Sequence, residues 1–547
     1  MRIVIIGAVA AGTSAAAKAR RNSEEAKIIV YEKDSYISYS GCGMPYYLGG
    51  IVRDADELTP RDAEFFKSRY DVDVFTLHEV LEILSDEKAL VIRNLETGEV
   101  FTDRYDKLII ATGASAVVPH ITGVHLEHVF RLRNINDMNS IKAFIDRKRP
   151  SSAAIIGTGF VGLEMCENLT RLGIKVTLVE KLSQVTPGLD SDMAVHVEEH
   201  IEKHGVNVLT GVSVGQITAS SVVLADGRTV SADMVLVSAG VRPDTELAAK
   251  AGIKLGVAGA ISVNTRMQTS VPDIYACGDC IEHFDVVTGR SIYRPLGSTA
   301  NKTGRIAGDC VTGGDLEFRG ILGTGIFRIF DMTVAQTGLS EREALALGYD
   351  VAVCHNIKPS KPSYMGGEEM VIKAVADKAS GALLGVQIVG GEGVDKRIDV
   401  FVTAISFKAK AKDLFHLDLA YAPPFSTTKD PVMYTGMILD NAINKGRPLI
   451  TADELKMLMD SGGRYTLIDA RTAEQFDNGH IETARNAAHA ELRDAVKEFD
   501  KDAVTVTYCN KGVTGNAAQN ILLNSGFKNV YNLSGGQKQF GKTQRPK

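Results

Sequence analysis

Residues 38–47 read SYSGCGMPYY and hold one cysteine, Cys42, among small and aromatic side chains. A redox pair spaced Cys-x4-Cys would need a second thiol at Tyr47 or Ile37, and neither position has one. Cys277 and Cys280 are spaced as a redox or metal pair, but no second ligand pair accompanies them, so no metal is expected. The seven cysteines, 42, 166, 277, 280, 310, 354 and 509, are odd in number and scattered. In a chain expected to be cytoplasmic that pattern predicts free thiols, some of them catalytic, and no disulfide framework.

Elements must bring these thiols to reductant and substrate. RIVII at residues 2–6 reads as a buried strand, GAVAAG at 7–12 as a tight turn, SAAAKARR as a helix, and AKIIVYE as a second strand ending at Glu32. Such a unit binds a dinucleotide: glycines at 7 and 12 permit the turn and close packing, pyrophosphate faces the helix N-terminus, and Glu32 accepts ribose hydroxyls. Val9 replaces the middle glycine. A second copy, AAIIGTGFVGLE, has Gly157, Gly159 and Gly162, and its next strand ends at Glu180. A carboxylate there favours NADH over NADPH by repelling a 2′-phosphate, although Lys181 leaves room for NADPH.

LIIATGA at 108–114, with Ala111, Thr112 and Gly113, and TSVPDIYACGDC at 269–280, with Gly278 and Asp279, resemble the two short motifs of the two-dinucleotide-domain flavoproteins. The resemblance implies FAD in the first unit (Gly7, Ala10, Gly12, Glu32, Lys33, with Asp279 at the ribityl chain) and a nicotinamide in the second. SYSGCGMPYY is similar to the signature of the coenzyme A disulfide reductase branch, whose members work with one active-site cysteine. There the substrate supplies the second sulfur: Cys42 attacks, a mixed disulfide or persulfide forms, and reduced flavin resolves it. VDKRIDV at 394–400 and LAYAPPFS at 419–426 resemble that branch's dimerisation domain, which implies a homodimer whose partner tyrosines, Tyr421 and Tyr364 here, reach the active-site sulfur. The same resemblance places anionic coenzyme A near Ser14, Lys18 and Arg21, near Arg61, Lys67 and Arg69, and near Ser38. Gly41 departs from the branch's asparagine before the cysteine. The neighbouring NADH oxidase and peroxidase branch carries a histidine where this chain has Ala10.

After a linker, NAINKGRPL, the elements YTLIDARTAEQFDNGHIETARNA and VTVTYCNKGVTGNAAQNILL resemble a rhodanese domain with Cys509 as its sulfur-carrying thiol. Loop amides and a helix start would stabilise its thiolate or persulfide. The arginine usual five residues after that cysteine is Thr514 here, so weak transfer from thiosulfate is expected, unless another cation such as Lys511 fills in.

The expected fold is therefore α/β: interleaved Rossmann-like domains for FAD (1–113 and 250–320) and NAD(P)H (114–249), an α+β dimerisation domain (321–440) and a rhodanese-like domain (450–547). The expected activity is NAD(P)H-dependent reduction of coenzyme A persulfide, polysulfide or coenzyme A disulfide. The alternatives are an NADH oxidase or peroxidase, or a redox-regulated sulfur carrier without turnover. A net charge of −6 argues against nucleic acid as partner, no apolar run is long enough for a membrane span, and a cytoplasmic location is expected.

Overall fold

The computed structural model describes residues 1–544. It divides into two compact units, Met1–Ser183 with Val206–Gly323, and Gln184–Gly205 with Thr324–Lys547.

In the first unit the strand Arg2–Ile6 is apolar on both faces and is the centre of a parallel sheet. The strand order is Ile274–Ala276, Lys107–Ile110, Arg2–Ile6, Lys27–Tyr31, Val72–Phe75. Helix Ala10–Asn22 buries Ala11, Ala15, Ala16 and Ala19; these small side chains let it lie close to its neighbours. Its partner, Gly297–Cys310, approaches so closely that a side chain at Gly304 or Gly308 would strike the Ala11 or Ala15 backbone.

A second all-parallel sheet follows, in the order Asn207–Leu209, Lys175–Val179, Ser152–Ile156, Met234–Val237, Val129–Phe130. These sheets and the turns between their strands and helices contain the two strand–turn–helix–strand units read from the sequence.

The second unit carries a five-stranded antiparallel sheet, ordered Gly325–Ile329, Met332–Gly338, Leu383–Gly390, Glu369–Asp377, Val351–Pro359. It also carries a parallel sheet, ordered Leu449–Ile450, Val530–Leu533, Val504–Tyr508, Tyr465–Asp469, Arg485–Asn486. The helix Ser191–Lys203 belongs to this unit although its flanking strands belong to the first.

A buried ion cluster explains that allegiance. Lys373, 1 % exposed, lies 2.8 Å from Asp192, 3.2 Å from Asp190 and 2.6 Å from Glu341. His355 Nε2 lies 2.7 Å from Asp192 Oδ2. Burial opposes ionisation of Asp192, but His355 and Lys373 outweigh it and hold the carboxyl well below the usual range. Burial likewise opposes charge on Lys373, and its three carboxylates overcome that and raise it. Among the described residues no helix is long and apolar enough to cross a membrane.

Candidate active site

Cys42 sits in a single 3-10 turn, Gly41–Gly43, that runs directly into the short helix Met44–Leu48. Of the seven cysteines it is the exposed one; the other six are buried. Partial burial of the thiol's surroundings raises its pKa first, and the carboxylates of Glu164 and Asp279 raise it further, while Arg133 works in the opposite direction. The sulfur is therefore reachable yet resists ionisation in the free protein.

Glu164 comes from the helix Phe160–Arg171, which packs on Met44–Leu48. That contact is tight: a side chain at Gly49 would collide with the Asn168 amide, and Tyr46 Oη lies 3.4 Å from Glu164 Oε1. Burial pushes the Glu164 carboxyl up to about 7, aided by Glu167 and opposed by the Tyr46 hydroxyl. Arg133 pairs with Asp279 at 3.0 Å and donates to the Ala114 carbonyl at 2.7 Å. Sequence reasoning named Asp279 but missed Glu164 and Arg133. Glu164 was visible in GTGFVGLE two residues after the last glycine, where the dinucleotide motif accounted for its surroundings and drew attention from it.

The expected cofactor residues lie at matching ends of the two parallel sheets. Glu32 Oε2 accepts from the Ala8 N–H at 2.7 Å and Oε1 from the Asp34 N–H at 2.9 Å. Burial raises its carboxyl and these two donors lower it. Glu180 is held in the same way, by Thr158 N–H at 3.0 Å, Thr158 Oγ1 at 2.8 Å and Leu182 N–H at 2.9 Å. Gly12 and Gly162 touch the carbonyls of Gly7 and Gly157, so a Cβ at either would force helix and turn apart. At Gly159 a Cβ would meet no heavy atom within 4 Å, which leaves the space a pyrophosphate needs. Ala10 starts the first helix, Lys33 is exposed beside Glu32, Ala111 lies against Gly7, Thr112 Oγ1 donates to the Asp244 carbonyl at 2.6 Å, and Gly113 and Gly278 have φ of +72° and +84°. These donors and turns fit FAD on the first sheet and a nicotinamide dinucleotide on the second.

The basic residues expected at coenzyme A are unequal. Lys18 is paired with Asp309 at 2.9 Å, and Lys67 with Asp71 at 2.5 Å and Asp73 at 2.9 Å, so their charge is largely answered. Arg21 lies over the Tyr70 ring and Arg61 over Phe65, each 5.6 Å from the centroid, and Arg69 is exposed beside Tyr70. Ser14 meets Asn301 at 2.7 Å, and Ser38 holds a left-handed backbone at φ +48° with its N–H on the Ala8 carbonyl.

In the second unit Cys509, 5 % exposed, follows the strand Val504–Tyr508 and precedes the helix Val513–Asn524. Gln537 and Lys538 N–H groups cap the Cys509 and Asn510 carbonyls at 2.8 and 3.0 Å. Arg471, paired with Asp469 at 2.6 Å, reaches the Asn510 amide oxygen at 3.3 Å, so the Asp-x-Arg element braces the cysteine loop. Thr514 is exposed in the first turn of the helix. Tyr364 and Tyr421 are 74 % and 49 % exposed.

Three family models match the chain: pyridine nucleotide-disulphide oxidoreductase over residues 1–296, the dimerisation domain of the same family over 326–431, and a rhodanese-like domain over 451–543. A Methanocaldococcus jannaschii protein named NADH oxidase is 36 % identical over 438 residues, covering 79 % of this chain and 97 % of its own. A Pyrococcus furiosus protein named NAD(P)H sulfur oxidoreductase (CoA-dependent) is 36 % identical over 443 residues, 80 % of this chain and 99 % of its own. The solved structure of reduced Bacillus anthracis CoADR-RHD superposes with a TM-score of 0.96 at 39 % identity, over 99 % of this chain and 98 % of that one. With the lone reachable thiol, the paired dinucleotide turns and both appended domains accounted for, the chain belongs to the pyridine nucleotide-disulphide oxidoreductase family.

Proposed function

We propose that the protein reduces sulfur–sulfur bonds of coenzyme A-linked or inorganic sulfane-sulfur substrates with NAD(P)H, through Cys42. The observation that carries this reading is the exposed thiol with no cysteine partner, subject to the opposing charges of Glu164 and Asp279 on one side and Arg133 on the other. Bound FAD and nicotinamide supply the electron pair. Cys42 attacks the sulfur attached to coenzyme A in a persulfide, a Cys42–coenzyme A disulfide forms, and hydrosulfide leaves. Two electrons and one proton then restore the Cys42 thiolate and free coenzyme A thiol. Glu164, its carboxyl raised to about 7 by burial, holds that proton. Glu32 and the first turn hold FAD; Glu180 and the second turn hold the nicotinamide nucleotide.

Arg21, Arg61 and Arg69 carry the positive charge least answered by protein carboxylates and hold the phosphates of coenzyme A, with Ser14, Lys18, Ser38 and Lys67 around them. The protein works as a homodimer, with the exposed aromatics Tyr364, Phe407, Tyr421 and Phe425 covered by a second copy. Tyr421 and Tyr364 then serve the partner's sulfur site as hydrogen-bond donors, and Cys509 handles sulfane sulfur.

The name of the Methanocaldococcus relative supports a second reading, oxygen reduction. Ala10 lacks the imidazole that reading expects.

Anaerobic NADH oxidation with coenzyme A persulfide, polysulfide and coenzyme A disulfide tests the proposal, with oxygen alone as the fourth arm. Cys42→Ser is expected to abolish all three sulfur activities while flavin reduction by NADH persists. Sulfur turnover retained in that variant, or turnover with oxygen only, overturns it.

A further inference from the structure

The helix Ser191–Lys203 ends in two histidines four residues apart, His200 and His204, a spacing that puts both rings on one face of the last turn. His204 is the residue that caps the helix. Against that face stands the two-residue turn Phe330–Asp331, which joins Gly325–Ile329 to Met332–Gly338 within the same unit. Phe330 holds a left-handed φ of +55°, at a place that hairpin turns usually give to glycine. Its ring stacks on the His204 imidazole, with centroids 4.1 Å apart and an interplanar angle of 4°.

Three ligand atoms meet at this turn. His200 Nε2 lies 2.8 Å and His204 Nε2 3.6 Å from the same Asp331 Oδ1, and one ligand atom from each of the three residues lies within 4.8 Å of the others. A tetrahedral ion bound at about 2.0–2.2 Å sets its ligands roughly 3.3–3.6 Å apart, so a small movement of the Asp331 carboxylate seats one. The His204 ring is already turned for it. Its Nδ1 lies 2.8 Å from the His200 carbonyl, which can only accept, and a neutral ring that donates there leaves the lone pair on Nε2. His200 Nε2 is closed off from water, and among the described residues it makes no hydrogen bond, its approach to Asp331 included. A buried ring nitrogen in that state calls for a partner. The Asp331 side chain is 83 % exposed, which keeps a fourth position open to water.

We propose that His200, His204 and Asp331 form a divalent-metal site, with water as the fourth ligand, for zinc or a neighbouring first-row transition ion. Two imidazoles and one carboxylate suit such ions, whereas magnesium and calcium take oxygen ligands. The ion's role is structural: it ties the C-terminal end of the helix to the hairpin, as the Asp192–Lys373 pair ties the N-terminal end to the antiparallel sheet. The site is independent of the sulfur chemistry at Cys42 and Cys509.

The test uses the full-length protein without an affinity tag, its reactive thiols first blocked with N-ethylmaleimide so that cysteine does not compete for the ion. Calorimetric titration with zinc is expected to show one saturable site that His204→Gln and Asp331→Asn each weaken roughly 10-fold or more, since even losing a group that orients a ligand costs that much. Magnesium should give no heat above dilution. Cobalt in place of zinc should show the visible bands of a four-coordinate ion without the strong near-ultraviolet absorption of a thiolate ligand. Zinc should also raise the thermal unfolding midpoint of the wild type, reversibly with EDTA, and leave that of Asp331→Asn unchanged. Asp331 is exposed, so its substitution spares folding, and reduction of bound flavin by NADH in unblocked protein checks this. Weakened zinc binding in both variants with flavin reduction kept upholds the site. No saturable site in wild type, zinc affinity unchanged in either variant, or thiolate absorption with cobalt overturns it.

Discussion

Glu164 and Cys42 influence each other through charge, and the sign of that influence can be measured. The carboxyl is pushed up to about 7 by burial, so below that pH it is neutral and above it opposes ionisation of the thiol. Glu164→Gln is therefore expected to speed alkylation of Cys42 roughly 5-fold at pH 8.5 and to change it little at pH 6, since a full tenfold would require a whole unit of interaction. Equal acceleration at both values would mean that a packing change, not charge, is responsible. Cys42 could be singled out in the sequence because SYSGCGMPYY resembles a branch signature, and the structure leaves that thiol exposed. Of the groups that tune it, Glu164 and Arg133 were not legible, and Asp279 was read only as a flavin residue, because the three come from distant parts of the chain and meet only in the fold. Glu180 was legible from its place at a strand end, and it is fixed by three donors before any nucleotide arrives. NADH should consequently reduce the flavin faster than NADPH in stopped-flow bleaching; the reverse order would assign the choice to Lys181.

At the scale of elements, the helices Met44–Leu48 and Phe160–Arg171 meet through a glycine, and that contact sets where the thiol lies relative to Glu164. Gly49→Ala has no room beside Asn168 and should cost about 1–3 kcal/mol, measured by chemical unfolding, through displaced packing. The same variant should blunt the pH contrast in Cys42 alkylation. The strand–turn–helix units were readable because alternating apolar runs and glycine turns are local signals. The allegiance of Ser191–Lys203 was not readable, because its acids are satisfied by Lys373 and His355 far along the chain.

At the scale of the whole molecule, Asp192 ties three parts of the second unit together. Its carboxyl lies below its ordinary value of 3.8 in the fold, so the stability it contributes is present above about pH 4 and is lost as pH falls further. Asp192→Asn strands Lys373 among fewer carboxylates and should cost about 3–5 kcal/mol at pH 7, with the gap to wild type closing toward pH 2 in thermal unfolding scans. A gap that stays constant with pH would show that lost hydrogen bonds alone are responsible. The interleaving of the two units also governs how the chain is made. Asp192 leaves the ribosome 181 residues ahead of Lys373, an interval of roughly 10–40 s at ordinary elongation rates. Throughout it the helix Ser191–Lys203, whose Met193, Ala194, Val197 and Ile201 are core in the finished fold, lacks two of the elements it packs on, Leu383–Gly390 and Gly536–Thr543. Synthesis therefore cannot complete one unit before starting the other: the nascent chain must keep an early apolar helix in reserve, and stalled or truncated chains ending before Lys373 are the species a holdase chaperone would capture.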